Sequence, residues 1–585
     1  MKVEQLHIKG FRNFEDETIH FEDKTLIIGA NDVGKTNLLY CLRILFDKTI
    51  SEYDLDLSDS DYNVRTNSNS IEITATITDV HEECLISEFT GHLKDGQVLI
   101  RFTKTKDTNY DILVGFNEDT LVPIHTRRYL KRLNMEYIQT QRNLFKLMQK
   151  ERQKLLEYSK TKLKIEDDES YQSDNHKIVE LQEDLDLINN KINSLNYITT
   201  ALDEINCVLK NISIQNEGQK LKFIAGQSDV QRLLNDVNLA DTVESDKISL
   251  GGDGKCNQIY IATWFAKYKL LSEVNDHITF IAIEEPEAHL HPHQQRKFSS
   301  YIQNCDFEQL FLTTHSPQIA AHFPTSNVVR LYMEHRISHA ACGGCSQALN
   351  QVFKEFGYRL NQISAETFFA SGAFLVEGMS EVLFYHALSK EIGIDLDRYN
   401  ISIISVEGIG FKPYIAILEA LKIPWVLRTD NDISTKGQTN PKHKFYSGVS
   451  RICGIAQLFN IAKELQDYYS CNSLNNEWNC GEEPNSSKSF NDSIKKIAKN
   501  YSLYLSDVDL ETDLANSALK PILMEFYEKN TVEELIKRMK TKKAENMLDF
   551  LAQKASSLRS LRDSSLALPL LRLQNLIVEN YRHVN

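Results

Sequence analysis

Gly29-Ala-Asn-Asp-Val-Gly-Lys-Thr36 follows the apolar run Thr25-Leu-Ile-Ile28 and opens a helical pattern that continues from Thr36 to about Asp47. Strand, glycine-rich turn and helix, in that order, form the context in which this pattern carries chemistry. The glycines let backbone N–H groups turn inward around phosphate. Lys35 reaches the β and γ oxygens, and the Thr36 hydroxyl serves Mg²⁺ at a helix N-terminus that favours anions. Asn31, Gly34, Lys35, Thr36 and Asn37 are the candidate nucleotide ligands.

Working outward, Phe280-Ile-Ala-Ile-Glu284-Glu285-Pro-Glu-Ala-His-Leu-His291 is an apolar strand that ends in acids. Glu284 there holds the water of a Mg²⁺ ion, and Glu285 orients or deprotonates the attacking water. Leu312-Thr-Thr-His315-Ser-Pro places a histidine at another strand end, in position to sense a γ-phosphate.

A second constellation lies in the C-terminal half. Phe374-Leu-Val-Glu377-Gly-Met-Ser-Glu381 puts one acid at a strand end and another at the start of the next helix. Trp425-Val-Leu-Arg-Thr-Asp430-Asn-Asp432 ends a further apolar strand with carboxylates two apart, which alternation aims at one ion where the strand is just ending. Open α/β sheets keep their sites at strand C-termini, and Mg²⁺ or Mn²⁺ prefers such hard oxygen donors.

Length and patterning set the frame. A chain of 585 residues exceeds one hydrophobic core, so two or three domains are expected. Val3–Lys9, Ile71–Val80 and the 98–116 region read as strands, as do 277–283 and 309–313. From about Arg127 to Leu209 Pro and Gly are absent and the pattern is helical. From Gly372 strands at Ala373–Val376, Ile401–Val406 and Trp425–Arg428 alternate with helices, and Asn472–Asp492 reads as a polar loop. The expected layout is α/β: residues 1–355 with a helical insertion at about 125–220, then 356–585 ending in helices.

The composition narrows the class. No apolar run approaches the ~18 residues of a membrane span, and the N-terminus lacks a secretory pattern, so a cytoplasmic protein with no membrane association is expected. Ten cysteines are too sparse for a disulfide scaffold. Cys342 and Cys345, near His335 and His339, have the spacing of half a zinc site or a redox pair, but no second pair stands at zinc-ribbon spacing. A net charge of -15 argues against indiscriminate DNA binding while leaving room for a local basic groove. His125–Arg132 and Lys537–Lys543 are the candidate basic runs.

The P-loop with Asn37, the Glu285-Pro-Glu-Ala-His-Leu-His291 segment and Thr314-His-Ser-Pro317 together resemble an ABC ATPase of the SMC-like branch. That resemblance implies ATP sandwiched between two heads. Ser249-Leu-Gly-Gly-Asp-Gly-Lys255 would be the signature motif and Gly252 its nucleotide contact. The order of that motif departs from Leu-Ser-Gly-Gly-Gln, and Glu284 replaces an aspartate, which favours binding over rapid turnover.

The Glu377-Gly strand followed by Asp430-x-Asp432 resembles the Toprim fold. Leu505-Ser-Asp-Val-Asp509-Leu-Glu511-Thr-Asp-Leu514 matches an additional acidic motif of OLD (overcoming lysogenization defect) family nucleases, and Lys540-Thr-Lys-Lys543 lies where that family places a catalytic lysine. Lys543 is preferred, with Lys542 and Lys540 left open. The ATPase-then-Toprim order is similar to this family, with a layout like its Gabija-type and retron-associated antiphage members. The resemblance implies a nucleotide-regulated endonuclease that cleaves or nicks DNA by two-metal hydrolysis, with Glu377, Glu381, Asp430, Asp432, Asp509 and Glu511 as metal ligands. It further implies a homo-oligomer, dimer or tetramer, built through the ATPase domains, and a helicase-like, retron reverse transcriptase or nucleic-acid partner. The competing expectation is a DNA-tethering repair-type ATPase whose Toprim domain is a binding platform.

Overall fold

A computed structural model describes residues 1–139, 144–212, 221, 230, 234, 241–243, 246–248, 253–274, 277–288, 290–346, 366–407, 410–436, 443–479 and 482–581. Two compact units emerge. One comprises Met1–Gln139, His277–Glu287 and Pro292–Asn585; the other comprises Thr140–Asp276 and Ala288–His291.

The first unit begins with an antiparallel sheet of strands Phe14–His20, Lys2–Phe11, Ser70–Thr78, Val98–Thr105, Asp111–Gly115 and Val122–Ile124, in that spatial order. Alternation turns Ile71, Ile73, Ala75 and Ile77 inward, into one core with Leu38, Leu39, Leu42 and Leu45 of helix Lys35–Phe46. A second sheet runs Ile337–Ala340, Val328–Glu334, Lys24–Ile28, Leu310–Thr313, Ile278–Glu284 and Leu133–Gln139. All its pairings are parallel except that of the first two strands. Its inner strands, such as Phe280–Ile283 and Leu310–Leu312, are continuously apolar because both faces are covered.

The C-terminal half of this unit carries a four-stranded parallel sheet, Ile401–Ser405, Gly372–Val376, Trp425–Thr429 and Leu503–Leu505. A small antiparallel sheet of Ile433–Lys436, His443–Tyr446 and Glu477–Asn479 follows directly from Asp432. The last helix, Leu568–Tyr581, returns to the central strand at Gly372, where a Cβ would meet Ile577 Cδ1 at 2.7 Å and Leu573 Cδ1 at 2.9 Å. The second unit is helical, built on Leu144–Glu166, Asp168–Asn193, Asn196–Ile212 and Asp253–Val274, and inside it the buried ammonium of Lys267 lies 2.6 Å from Glu151 Oε2.

Three expectations need correction. The helical insertion was expected at about 125–220, but Leu133–Gln139 is the edge strand of the P-loop sheet and the helical unit spans Thr140–Asp276. Leu-Asn-Met-Glu-Tyr-Ile-Gln alternates apolar with polar through its first residues, a period-two signal that the absence of Pro and Gly obscured. Asn472–Asp492 is not a loop throughout: strand Glu477–Asn479 and the start of helix Asn485–Asn500 lie within it. The basic run at His125–Arg132 is in part structural. Arg127 donates to the carbonyls of Ile44, Asp47 and Ile50, holding the end of helix Lys35–Phe46. The expected boundary at 355/356 lies outside the described residues, as do Ser249–Gly252. Among the described residues no helix is long and apolar enough to cross a membrane.

Candidate functional site

The P-loop leaves its strand at Gly29 and enters its helix through Gly34, whose φ is 96° and where a Cβ would collide with the Asn13 side chain. Lys35 folds back on its own loop, donating to Gly29 O at 3.0 Å and Ala30 O at 2.7 Å. Burial pulls its pKa down to about 8 against the opposing charges of Glu285, Asp32 and Glu287. Thr36 Oγ1 donates to Glu284 Oε1 at 2.5 Å, and the Tyr137 hydroxyl donates to the other oxygen of that carboxylate. Glu285 has φ 48°, and its Oε1 lies 3.2 Å from His315 Nε2. His315 N donates to Glu287 Oε1 at 2.5 Å. Asn37 accepts from Arg12 Nη1 at 2.7 Å and donates to Asn13 Oδ1 at 2.7 Å, while Asn31 is exposed on the loop.

The structure therefore brings Lys35, Thr36, Asn37, Glu284, Glu285 and His315 to the carboxyl ends of adjacent parallel strands; Gly252 lies outside the described residues. Arg12, Asn13, Tyr137 and Glu287 join them without having been singled out. Arg12 and Asn13 come from the first hairpin and Tyr137 from the edge strand, so no local pattern marks them. Glu287 stood inside the quoted acidic segment.

The second acid set collects at the carboxyl end of the other parallel sheet. Glu377 Oε1 accepts from Asp430 N at 3.0 Å and also from Thr429 Oγ1 and Arg451 Nη1. Glu381 is buried and caps its own helix, accepting from Gly378 N at 3.0 Å; burial raises its pKa. Asp430 is buried and accepts from Ser506 Oγ at 3.3 Å. Burial, then Glu381 and Glu377, push its pKa up to about 8 against Arg428 and Lys543. Asp432 is exposed, and its backbone carbonyl accepts from Ser447 N at 3.0 Å.

Asp509 caps helix Leu510–Ala515 through Thr512 N at 2.9 Å and meets Lys540 Nζ at 2.6 Å. Burial opposes ionisation there, but the bonds from Lys540 and Thr512 hold its pKa below the usual value. Glu511, 2% exposed, lies 3.0 Å from Lys543 Nζ. Burial works against the Lys543 ammonium, yet Glu511, followed by Asp430 and Asp509, raises its pKa. Of the three candidate lysines, Lys543 and Lys540 reach the acids, while Lys542 pairs with Glu545 at 2.9 Å on its own helix.

Arg428, Asp513, Thr429, Ser506 and Arg451 were not singled out from sequence. Arg428 is buried, with Nη2 2.5 Å from Asp513 Oδ2, and its charge steadies Glu381 and Asp430. The donors suit a hard divalent cation: clustered carboxylates at strand ends, one driven up to about 8 by burial and then by its neighbours' charge. Among the described residues no three His, Cys, Asp or Glu side chains form a ready ligand group, and Arg451, Lys540 and Lys543 lie against Glu377, Asp509 and Glu511. Cys342 is exposed and Cys345 buried, both as free thiols.

Fold and site together define a P-loop ATPase joined to a Toprim domain. The family model "Overcoming lysogenization defect protein-like, TOPRIM domain" matches residues 368–432, and an "AAA ATPase domain" model matches residues 1–179 and 130–320. The endonuclease GajA of Bacillus cereus strain VD045 is 25% identical over 550 residues, covering 88% of this chain and 89% of its own length. The OLD nuclease of Thermus scotoductus is 24% identical over 457 residues, covering 74% and 82%. An SMC head domain from Thermotoga maritima aligns at 12% identity and a TM-score of 0.28, over 58% of this chain and 98% of that one. The chain thus joins an AAA ATPase domain to an OLD-like Toprim domain and is similar to OLD-family nucleases over most of its length.

Proposed function

We propose that this protein is a divalent-metal-dependent DNA endonuclease, regulated by ATP, that acts in antiphage defence. The observation that carries the reading is the meeting of acids from two strand ends, the Met379–Ile392 helix start and the Leu510–Ala515 helix with two lysines, Lys540 and Lys543. A tethering platform has no use for such a cluster, which repels phosphate unless metal neutralises it.

Glu377, Glu381, Asp430, Asp432, Asp509 and Glu511 would hold Mg²⁺ or Mn²⁺ at this site. When bound, such ions activate water and stabilise the leaving oxygen of a phosphodiester. Lys543 presents a charge fixed by Glu511 to the pentavalent phosphate of the transition state. Arg428, paired with Asp513, steadies the buried charges of Glu381 and Asp430. At the other site Lys35 and Thr36 would hold ATP, Glu284 would hold its Mg²⁺, Glu285 would position water, and His315 lies against Glu285. Assembly as a homo-oligomer through the ATPase domains, and work beside a helicase-like or retron-derived nucleic-acid partner, are part of this reading.

The test is supercoiled plasmid incubated with Mg²⁺ or Mn²⁺, with and without ATP, beside Asp430→Ala. The expected result is metal-dependent cutting that Asp430→Ala abolishes while ATP binding stays intact. DNA binding with no cutting by the wild type under any of these conditions would favour the tethering ATPase.

A further inference from the structure

Three basic side chains sit on the acid set, and they are not alike. Lys540 and Lys543 rise from neighbouring helix ends onto Asp509 and Glu511, carboxylates that are 4% and 2% exposed. The third, Arg451, is 36% exposed and contacts Glu377, which is 28% exposed. Arg428, in the same site, shows what a structural arginine looks like here: 4% exposed and locked to Asp513.

The root of Arg451 is held firmly. Its helix, Ser447–Leu458, starts on the Asp430–Asp432 turn, where Ser447 N and Oγ both donate to Asp432 O and Val449 N donates to Asn431 Oδ1 at 3.1 Å. At Gly448 a Cβ would collide with Asp430 O and come within 2.8 Å of Asn431 Oδ1. A long cationic arm thus springs from a pinned helix start, and its side chain is 36% exposed. It joins Asp430 N and Thr429 Oγ1 on a single carboxylate oxygen of Glu377.

We propose that Arg451 is a phosphate-binding arm of the nuclease site. In the metal-free protein it neutralises Glu377. With a divalent ion held by Glu377, like charge would free the guanidinium, leaving the arm to grip a non-bridging oxygen of the substrate phosphodiester, for which its planar donor fork is suited. The inference rests on the nuclease reading of the same site, and it adds a residue that touches substrate and a switch between two partners.

The two parts of this switch predict opposite changes in one variant. In the metal-free protein Arg451→Gln removes a competitor for Glu377, so Mn²⁺ titrated by calorimetry should bind about tenfold tighter, the factor one lost ion pair of ~1.4 kcal/mol implies. In Ca²⁺, Arg451→Gln should bind a phosphodiester duplex about tenfold more weakly, with a salt-dependence slope smaller by about 1. Arg451→Lys keeps the charge and should fall between wild type and Arg451→Gln in both assays. Unchanged ATP binding at the P-loop checks that the variants are folded. Weaker or unchanged Mn²⁺ binding in folded Arg451→Gln, or unchanged duplex affinity, would overturn the proposal. The metal titration reads Arg451 without any cleavage, so a wild type that binds Mn²⁺ but never cuts would fail the nuclease reading separately.

Discussion

Lys540, Lys542 and Lys543 share one short turn between two helices, yet they face different partners: Asp509, Glu545 and Glu511. Lys543→Ala removes the cation between Glu511 and Asp430, so its cleavage rate should fall about 10²–10³-fold, the usual loss for one transition-state donor. Lys542→Ala should cut like wild type; a plasmid time course with both variants checks the pair, and equal losses would contradict the placement. At the other site, Lys35 has a pKa lowered to about 8 in the free protein by burial. Phosphate favours the charged form and raises that pKa, so ATP binding above pH 8 takes up a proton and affinity falls as pH rises further. Roughly three quarters of Lys35 is neutral at pH 8.5. Calorimetry there in two buffers of different ionisation enthalpy should therefore show net proton uptake; identical heats would mean that Lys35 is already charged when free.

At the scale of elements, Gly448 is the point where helix Ser447–Leu458 touches the aspartate strand, with no room for a Cβ beside Asp430 O. Gly448→Ala should push the helix and Asp430 apart, lowering nuclease activity at least tenfold while ATP binding is unchanged, measurable by cleavage and nucleotide titration on one preparation. The same region shows what sequence can and cannot carry. Glu377, Asp430 and Asp432 were legible because apolar strands end in them, and the P-loop because its glycines and lysine are contiguous. Leu503–Leu505 is too short to signal a strand, though it completes the parallel sheet beside Arg428. Leu133–Gln139 was hidden by the helical composition around it. Arg451 and Arg428 carry no local mark, since an arginine on a helix or in a strand acquires its partner only when chain separated by dozens of residues folds against it. Even Glu381 and Asp509 have a second duty that sequence order alone did not show, each capping the helix it begins.

At the scale of the whole molecule, the ATPase and Toprim halves meet in a direct contact within the first unit. Strand Val328–Glu334 runs parallel to Lys24–Ile28 with Arg330 beside Ile28, one residue before the P-loop begins. A Cβ on Gly29 would collide with Leu331 O, and Ser338 on the next strand donates to Val33 O at 2.8 Å, so this hairpin grips the loop that binds phosphate. The Arg330 side chain, 4% exposed, reaches to the other side. It donates to the carbonyls of Phe368 at 3.2 Å, Ala370 at 3.0 Å and Leu421 at 2.7 Å, the last being the end of helix Phe411–Ala420 in the Toprim half. A buried guanidinium held by carbonyls and a helix C-terminus is costly to replace, because an apolar substitute leaves those acceptors unsatisfied. Arg330→Met should destabilise the protein by about 2–4 kcal/mol, read as a lower Tm. If the hairpin carries the nucleotide signal, the folded variant should still cut plasmid with Mg²⁺ while its response to ATP shrinks. An ATP response equal to that of wild type would mean that the nucleotide acts by another route, such as the pairing of heads between copies of the chain.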